Sequence, residues 1–299
     1  MRKRPKIAIP KGRMLGSSLE LLRKAGFITH PDEDYNSRRL IFDYEDDTSK
    51  LLIVKPSDVP TFVEYGAADI GIAGKDILLE KHRNVYEPLD LKFGECRIVV
   101  AVHGNALTIA GDNQNSFAIK GLITDAGPAL SIGNGNLVGQ KTFNEAGKGA
   151  GKSFEIKLTN GEGKSNGVGI NAIKEIQERY PSSFKGIIEY NKKRLYSQSN
   201  LRVATKYVHI TEDFFRKKGI NVQIVKLYGN IELAPLSGLS EIIVDLVSTG
   251  ETLRQNNLFE IDEIAKVTSR LIVNRASLKT NPKGIASAIE SLKNIIEGN

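Results

Sequence analysis

Short runs of apolar residues recur along the chain, and each is followed by a polar turn with glycine and then by a segment with helical spacing. Continuous apolar runs of this length are typical of strands buried on both faces of a sheet. Strand, turn and helix repeated in this order predict an α/β fold. The runs that we predict as buried strands are 7–10, 51–54, 68–73, 97–102, 201–205 and 242–247.

This pattern occurs in two similar forms. An apolar run leads from Asp69 to Gly74, just as another leads from Glu241 to Gly250. Two similar helix–strand–turn units predict two α/β lobes whose turns face ligands at the carboxyl ends of the strands. We predict that lobe I comprises residues 1–104 and is completed by about 260–299, and that lobe II comprises 200–259.

The second run ends in a turn with the features of an anion-binding site. Ser248-Thr249-Gly250-Glu251-Thr252 separates the strand from a helix-compatible segment. Backbone N–H groups at a helix start are unpaired and attract negative charge, hydroxyl groups add donors, and glycine allows close approach. No Gly-Lys-Ser/Thr follows, so this is not a Walker loop. The alternative is an ordinary turn with a threonine N-cap.

Three carboxylates, Glu232, Glu241 and Asp245, precede this turn. A carboxylate beside a bound phosphate is repelled unless it meets hydroxyl groups or a bridging cation. The vicinal hydroxyl groups of a ribose meet this condition, and so does Mg²⁺. The residues therefore predict a site for a ribose 5-phosphate.

Basic residues lie next to other predicted strands. Lys11-Gly12-Arg13 follows the strand 7–10, and two cations beside a glycine suit a phosphate or diphosphate group. Arg38 and Arg39 precede apolar residues, so one of the two would point inward in a strand with a period of two. Arginine binds phosphate better than lysine because its donors form a planar fork. A merely solvated basic turn is the alternative for 11–13.

Composition narrows the range of functions. The chain has 299 residues, 40% hydrophobic content and a single cysteine, Cys96, so it can form two or three domains without an internal disulfide. The basic amino terminus lacks the apolar region of a signal peptide, and we expect a cytoplasmic protein. The 42 basic and 35 acidic residues give a net charge of +7. The chain does not alternate aromatic and basic residues, so its positive charge favours polyanionic small molecules as ligands over nucleic acid or a membrane. A generic solvated surface is the alternative explanation of the charge. The histidines have no ligand spacing, so we predict no protein metal site.

Residues 105–199 differ from the rest, because they contain 14 of the 28 glycines. We predict strands at 116–124 and 154–158, a helix at 170–180, and mobile chain in parts of 133–169. Glycine-rich motifs at 146–153 and 167–172 lack the strand that must directly precede a phosphate or dinucleotide loop. We interpret the whole segment as a peripheral α+β insertion that a short linker could replace.

Seven further motifs lie in order along the chain, besides the stretch 231–254. They are IAIPKGRM at 7–14, SRRLIF at 37–42 and the segments 55–78, 89–101, 201–207, 226–235 and 270–279. Together these motifs resemble the ATP phosphoribosyltransferase family, which catalyses the first step of histidine biosynthesis. The resemblance implies a two-lobed α/β fold like that of type II periplasmic binding proteins. In the family a short connection stands where this chain has 105–199, and arginine usually stands where it has Lys55.

The resemblance also implies roles for individual residues. The phosphoribosyl diphosphate would be bound by Glu232, Asp245, Ser248, Thr249, Gly250 and Thr252, and ATP and diphosphate by Lys11, Arg13, Arg38, Lys55 and Asp69. Of these, Arg13, Arg38 and Asp245 are the expected catalytic residues. The reaction transfers the phosphoribosyl group to N1 of the adenine of ATP and releases diphosphate, with Mg²⁺ as cofactor.

The resemblance is to the short form of the family, which implies a homo-oligomer that assembles with a histidyl-tRNA-synthetase-like regulatory subunit. Two other functions remain open at this point. The same fold also makes modules that only bind a phosphate or ribose phosphate, and an insertion can produce an inactive relative. Measuring product formation separates all three.

Overall fold

The computed structural model of the chain describes residues 4–28, 34–35, 37–43, 50–107, 116–122, 137–144, 153–160, 170–179 and 181–298. The chain divides into two compact units. Unit 1 comprises Met1–Ile98 and Ala265–Asn299, and unit 2 comprises Val99–Ile264. The segment 105–199, which the sequence predicts as an insertion, falls within unit 2.

Strands and helices alternate through most of both units. The strands are β1 Ile7–Pro10, β2 Ile41–Asp43, β3 Lys50–Val54, β4 Ile70–Gly74, β5 Tyr86–Asp90, β6 Cys96–His103, β7 Ser116–Leu122, β8 Leu137–Asn144, β9 Ser153–Asn160, β10 Leu201–Thr205, β11 Val222–Lys226, β12 Ile242–Val247, β13 Leu258–Val267 and β14 Ser269–Val273. The helices are α1 Leu15–Lys24, α2 Val59–Glu64, α3 Lys75–Lys81, α4 Ile170–Arg179, α5 Pro181–Tyr196, α6 Val208–Lys217, α7 Leu233–Leu236, α8 Glu251–Gln255, α9 Ser277–Thr280 and α10 Pro282–Glu297.

The sheet of unit 1 has the strand order β2-β3-β1-β4-β14-β5. Its centre is parallel, because β1 pairs in parallel with both β3 and β4. Strands β2 and β14 run antiparallel to their neighbours β3 and β4. The carboxyl ends of β1, β3 and β4 therefore lie at one edge of the sheet, which we call the carboxyl edge.

Both faces of this sheet are covered, as the continuous apolar runs predicted. Ile7 and Ile9 of β1 belong to the core formed with α1 and α10. Ala8, which points to the other face, belongs to the core formed with α2. Helix α10 buries Ile285 and Leu292 on a single face, as an amphipathic helix does.

The sheet of unit 2 has the order β11-β10-β12-β6-β13, and β10 is parallel to both β11 and β12. Its core includes Ile243 and Val247 of β12 together with Leu253 of α8. The turn between β12 and α8 is thus anchored at both ends by buried side chains. The α/β class predicted from the sequence is confirmed.

A third sheet lies in the segment 105–199, with antiparallel strands in the order β7-β9-β8. The predicted strands at 116–124 and 154–158 correspond to β7 and β9. The prediction missed β8, whose residues 137–144 fall in the stretch expected to be mobile. The glycine-rich motifs at 146–153 and 167–172 lie largely outside the described residues.

Helix α5, also within 105–199, packs into unit 2. Ile187 and Leu195 are buried, and the ring of Tyr196 meets that of Phe215 edge-on with centroids 5.4 Å apart. Arg194 Nη2 donates a hydrogen bond of 2.5 Å to the carbonyl of Ala106. Helix α5 therefore buries apolar side chains within unit 2, which does not favour a peripheral position for all of 105–199.

In the part of the chain that the structure describes, no helix combines the length and the apolar character needed to cross a membrane.

Candidate active site

The hydroxyl-and-glycine turn lies at the carboxyl edge of the unit 2 sheet. Ser248 and Thr249 are exposed, and Gly250 has a φ of +79°, a left-handed conformation that favours glycine. The backbone N–H groups of Ser248, Thr249 and Gly250 donate no hydrogen bond within the described part of the chain. Three consecutive free donors on a rigid turn can bind the oxygens of a phosphate.

The threonines of this turn present hydroxyl groups to solvent. Thr249 Oγ1 accepts a weak hydrogen bond of 3.4 Å from the N–H of Glu251, and the Thr252 hydroxyl has no partner among the residues described. Glu251 itself is paired with Arg254 at 2.7 Å, so its charge is compensated within α8. The hydrogen bonds from Arg254 and Gln255 lower the pKa of Glu251.

Asp245 lies in β12, three residues before this turn, and is half-buried. Its Oδ1 accepts a hydrogen bond of 2.7 Å from the N–H of Leu246 and lies 3.3 Å from Lys206 Nζ. Lys206 directly follows β10, the parallel neighbour of β12. Sequence reasoning did not assign Lys206, because its proximity to Asp245 depends on the strand order of the sheet.

Glu232 and Glu241, the other two carboxylates, lie at different ends of the strands. Glu232 is the N-cap residue of α7, in the segment that follows the carboxyl end of β11, and pairs with no described residue. Glu241 lies before β12, at the amino ends of the strands, and accepts hydrogen bonds from Arg202 Nε at 3.0 Å and from the Arg202 N–H at 2.7 Å. Burial opposes ionisation of Glu241, but these contacts outweigh it and lower its pKa. Glu241 is therefore a structural residue.

The basic turn predicted at 11–13 lies at the carboxyl edge of the unit 1 sheet. Lys11 follows β1, and its N–H donates to the Val54 carbonyl of β3 at 2.8 Å. Gly12 has a φ of +88°, and its carbonyl accepts from the N–H of Leu15 as α1 begins. The Lys11 ammonium is exposed and pairs with none of the described residues.

Arg13 has one contact that fixes its side chain. Its Nη2 donates a hydrogen bond of 3.2 Å to Cys96 Sγ, while the guanidinium remains exposed. Cys96 is buried, in agreement with a core thiol. A sulfur is a weak acceptor, so most of the hydrogen-bonding capacity of Arg13 stays available for an anion.

Arg38 and Lys55 belong to the same edge. Ile41 pairs antiparallel with Leu52 and the Ile53 N–H donates to the Leu40 carbonyl, so the chain before Ile41 lies at the end of the sheet where β3 ends. The prediction that either Arg38 or Arg39 points inward is wrong, because the strand begins only at Ile41 and both arginines are exposed.

Asp69 does not join these cations. It precedes β4, so it lies at the amino edge of the parallel strands, whereas Lys11 lies at the carboxyl edge. Its Oδ2 accepts from the N–H of Lys6 at 2.8 Å, and its Oδ1 accepts from the Ser277 hydroxyl at 2.5 Å. Both oxygens are thus engaged within the fold.

The structure therefore presents two groups of candidate residues, each at the carboxyl edge of its own sheet. Unit 1 contributes exposed cations, and unit 2 contributes free donors with carboxylates. No three described histidine, cysteine, aspartate or glutamate residues cluster as metal ligands.

Known proteins share sequence and structure with this chain. The family model HisG, described as ATP phosphoribosyltransferase, matches residues 55–120 and 178–297, which is more than half of the chain. The unmatched stretch 121–177 is shorter than the predicted insertion 105–199, and the match resumes before α5.

Similar sequences and a solved structure carry the same description. An ATP phosphoribosyltransferase of Geobacter metallireducens is 42% identical over 288 residues, covering 96% of each chain. One of Caldanaerobacter subterraneus is 37% identical over 292 residues, covering 98% of this chain and 97% of its own. A chain from the ATP phosphoribosyl transferase (HisG:HisZ) complex of Thermotoga maritima is 26% identical, with a TM-score of 0.59 and coverage of 98% and 99%.

Proposed function

The chain belongs to the ATP phosphoribosyltransferase family, and from this premise we propose how its residues serve the reaction. The protein is an enzyme of histidine biosynthesis that transfers the phosphoribosyl group of phosphoribosyl diphosphate to ATP. The observation that carries the residue assignment is the turn of free backbone donors beside Asp245, at the carboxyl edge of the parallel strands of unit 2. Ligands of open α/β sheets bind at that edge.

The 5-phosphate of phosphoribosyl diphosphate binds the N–H groups and hydroxyls of Ser248, Thr249, Gly250 and Thr252. Ser248, Thr249 and Thr252 are exposed and Gly250 is half-buried, and buried residues anchor the turn, so these donors need little reorganisation on binding. Glu232 and Asp245 accept hydrogen bonds from the ribose hydroxyls. Two carboxylates next to a phosphate need hydrogen-bond donors, and the hydroxyl groups of the sugar supply them.

The phosphates of ATP and the leaving diphosphate bind the cations Lys11, Arg13, Arg38 and Lys55. All four are exposed at one sheet edge, and no described carboxylate pairs with them. Lysine at 55 retains the charge of the usual arginine but not its fork of donors, so we expect Lys55 to bind phosphate less strongly than the arginines do. An ATP contact by Asp69 remains a prediction that its internal hydrogen bonds do not favour.

In the reaction, N1 of adenine attacks the anomeric carbon of the ribose while the bond from that carbon to the diphosphate oxygen breaks. Positive charge develops on the ribose ring and negative charge on the leaving diphosphate. We assign Asp245 to the stabilisation of the first charge, and Arg13 and Arg38 to that of the second. Because these charges grow in the transition state, fixed opposite charges accelerate the reaction more than they strengthen substrate binding.

Enzymes of this family generally use a metal ion, and we propose that the ion here is Mg²⁺. The residues fit this ion, because the carboxylates of Glu232 and Asp245 are hard oxygen ligands, and Glu232 pairs with no described residue. Mg²⁺ is commonly bound by one or two carboxylates and by substrate phosphates. When bound, it offsets the negative charge of the diphosphate.

The protein acts in the cytoplasm and forms a homo-oligomer that assembles with a histidyl-tRNA-synthetase-like subunit. The similarity to a chain of the Thermotoga maritima HisG:HisZ complex supports such a partnership. We expect the isolated chain to have modest activity and to be little inhibited by histidine. The partner subunit should raise the activity and also the inhibition by histidine. Strong histidine inhibition of the isolated chain would contradict this regulatory scheme.

Product analysis tests the function directly. The purified chain, with and without the partner subunit, is incubated with ATP, phosphoribosyl diphosphate and Mg²⁺, and phosphoribosyl-ATP and diphosphate are quantified by mass spectrometry. An enzyme forms both products in equal amounts. Binding of phosphoribosyl diphosphate without product in either mixture would instead indicate a binding module or an inactive relative.

A further inference from the structure

In the phosphoribosyl diphosphate site, the negative charge of Asp245 opposes the binding of an anionic substrate. Asp245 lies three residues before the phosphate turn, so a negatively charged side chain stands close to where a highly anionic substrate binds. Ribose hydroxyls satisfy its hydrogen bonds but leave its charge uncompensated. A cation of the protein close to Asp245 would offset this charge before any substrate or metal binds.

Lys206 supplies this cation. Its Nζ lies 3.3 Å from Asp245 Oδ1, the oxygen that also accepts the 2.7 Å hydrogen bond from the Leu246 N–H. The two contacts hold the carboxylate by one oxygen. The other oxygen, Oδ2, receives no hydrogen bond from the described part of the chain and is available to a ribose hydroxyl.

The backbone around Lys206 is fixed to β12. The Thr205 hydroxyl donates to the Val244 carbonyl at 2.8 Å and accepts from the Tyr207 N–H at 2.9 Å. The register pairs Thr205 with Val244, which places Lys206 level with Asp245. The Lys206 ammonium also lies 5.0 Å from the centroid of the Tyr207 ring, a cation–π contact that restrains the side chain further.

Stability does not explain this pair. The side chains of Lys206 and Asp245 are 43% and 24% exposed, and ion pairs this exposed contribute little to the free energy of unfolding. The contact instead orients a carboxylate and offsets its charge at a site where both properties affect an anionic ligand.

We propose that Lys206 is a positioning residue of the phosphoribosyl diphosphate site, which holds Asp245 through Oδ1 and presents Oδ2 to the ribose hydroxyls. This inference rests on the proposed function. Because Lys206 acts through Asp245, its removal weakens the use of phosphoribosyl diphosphate and leaves the use of ATP unchanged.

Kinetics and calorimetry of substitution variants test the proposal. For Lys206→Met we expect kcat/KM for phosphoribosyl diphosphate to fall about tenfold, the KM for ATP to stay within about twofold, and the thermal midpoint to stay unchanged. Lys206→Arg, which keeps the charge, should retain most of the activity. Lys217→Met is the matched control, because Lys217 is an exposed lysine of α6 that forms no contact with any described carboxylate.

A double-mutant cycle shows whether Lys206 acts through Asp245. The dissociation constant of phosphoribosyl diphosphate, measured by calorimetry in the presence of Mg²⁺, should be the same for Asp245→Asn and for Lys206→Met/Asp245→Asn. Independent, additive losses would overturn the proposal, as would wild-type kinetics of Lys206→Met.

The same variants separate a failure of this inference from a failure of the proposed function. If wild type and the Lys217 control form product, Thr249→Val is impaired and Lys206→Met is normal, only this inference fails. If wild type with its partner subunit forms no product, the proposed function fails with it.

Discussion

Asp69 and Glu241 make matching contacts in the two sheets. Each precedes a parallel strand, and each carboxylate accepts a hydrogen bond from the backbone N–H at the beginning of the neighbouring strand, from Lys6 at 2.8 Å and from Arg202 at 2.7 Å. The internal repeat made these two residues equivalent in the sequence. It did not reveal their role, because the partner of a carboxylate depends on strand order and register, which a single sequence does not contain.

The pairing of Glu241 with Arg202 gives a pH-dependent contribution to stability. Since the folded protein lowers the pKa of Glu241, the contribution is present above the ordinary carboxyl value of 4.5 and is lost as the pH falls through the lower folded value. We expect Glu241→Gln to reduce the free energy of unfolding at pH 7 by about 1 kcal/mol, a value discounted for partial exposure. Denaturant unfolding at pH 7 and pH 3 checks this, and a difference that persists unchanged at pH 3 would contradict it.

The turn 248–252, which we propose as the phosphate site, follows β12 and leads into α8, as its residue types predicted. Thr249→Val removes a hydroxyl donor, and we expect kcat/KM for phosphoribosyl diphosphate to fall by about 30-fold, which corresponds to roughly 2 kcal/mol. Thr280→Val, at an exposed threonine of α9, is the matched control. Near-normal turnover of Thr249→Val would end the assignment of this turn to the 5-phosphate.

A substitution at Gly250 acts through the backbone. A Cβ there meets no atom closer than Val247 Cγ1 at 3.9 Å, but the φ of +79° disfavours any other residue. We therefore expect Gly250→Val to shift the turn and to impair phosphoribosyl diphosphate use at least as much as Thr249→Val does, with a loss of stability of about 1–2 kcal/mol. Unfolding and initial rates measured on the same sample separate the two effects.

Arg13 is expected to stabilise charge that grows on the leaving diphosphate. For Arg13→Ala we expect kcat to fall roughly 100-fold with a much smaller rise in the KM for ATP. Arg23→Ala, at an exposed arginine of α1, should behave like wild type. An effect confined to the KM for ATP would assign Arg13 to ground-state binding alone.

At the scale of elements, continuous apolar runs were the reliable signal. The run 242–247 coincides with β12, and 7–10 coincides with β1, because both strands are covered on two faces. Helix α5 was missed because Gly186 and the buried Asn191 obscure its apolar spacing. Their low helix propensity is overridden by packing against Phe215 and Phe259, which no local pattern can reveal.

The boundaries of the insertion can therefore be tested by replacement. Substituting a Gly-Ser linker of about ten residues for 108–169 leaves α4, α5 and both sheets of parallel strands in place, so we expect cooperative unfolding and retained activity. Replacing all of 105–199 also removes the buried face of α5, and we expect an unstable or insoluble product. Equal stability of the two shortened proteins in thermal unfolding would show that α5 is dispensable.

At the scale of the whole molecule, the chain begins in unit 1, forms unit 2 and returns to complete the first sheet with β14. Unit 1 is therefore made of two separate chain segments, and each unit has its own core. The carboxyl edge of unit 1 carries exposed cations, and that of unit 2 carries hydroxyl donors with carboxylates.

A crystal structure of the chain with phosphoribosyl diphosphate and Mg²⁺ would show whether the turn after β12 binds the 5-phosphate. We predict that the 5-phosphate oxygens lie within hydrogen-bond distance of the Thr249 and Gly250 N–H groups and of the Thr252 hydroxyl, with a ribose hydroxyl on Asp245 Oδ2. A 5-phosphate bound instead by Lys11 and Arg13, with the turn at 248–252 empty, would contradict the account.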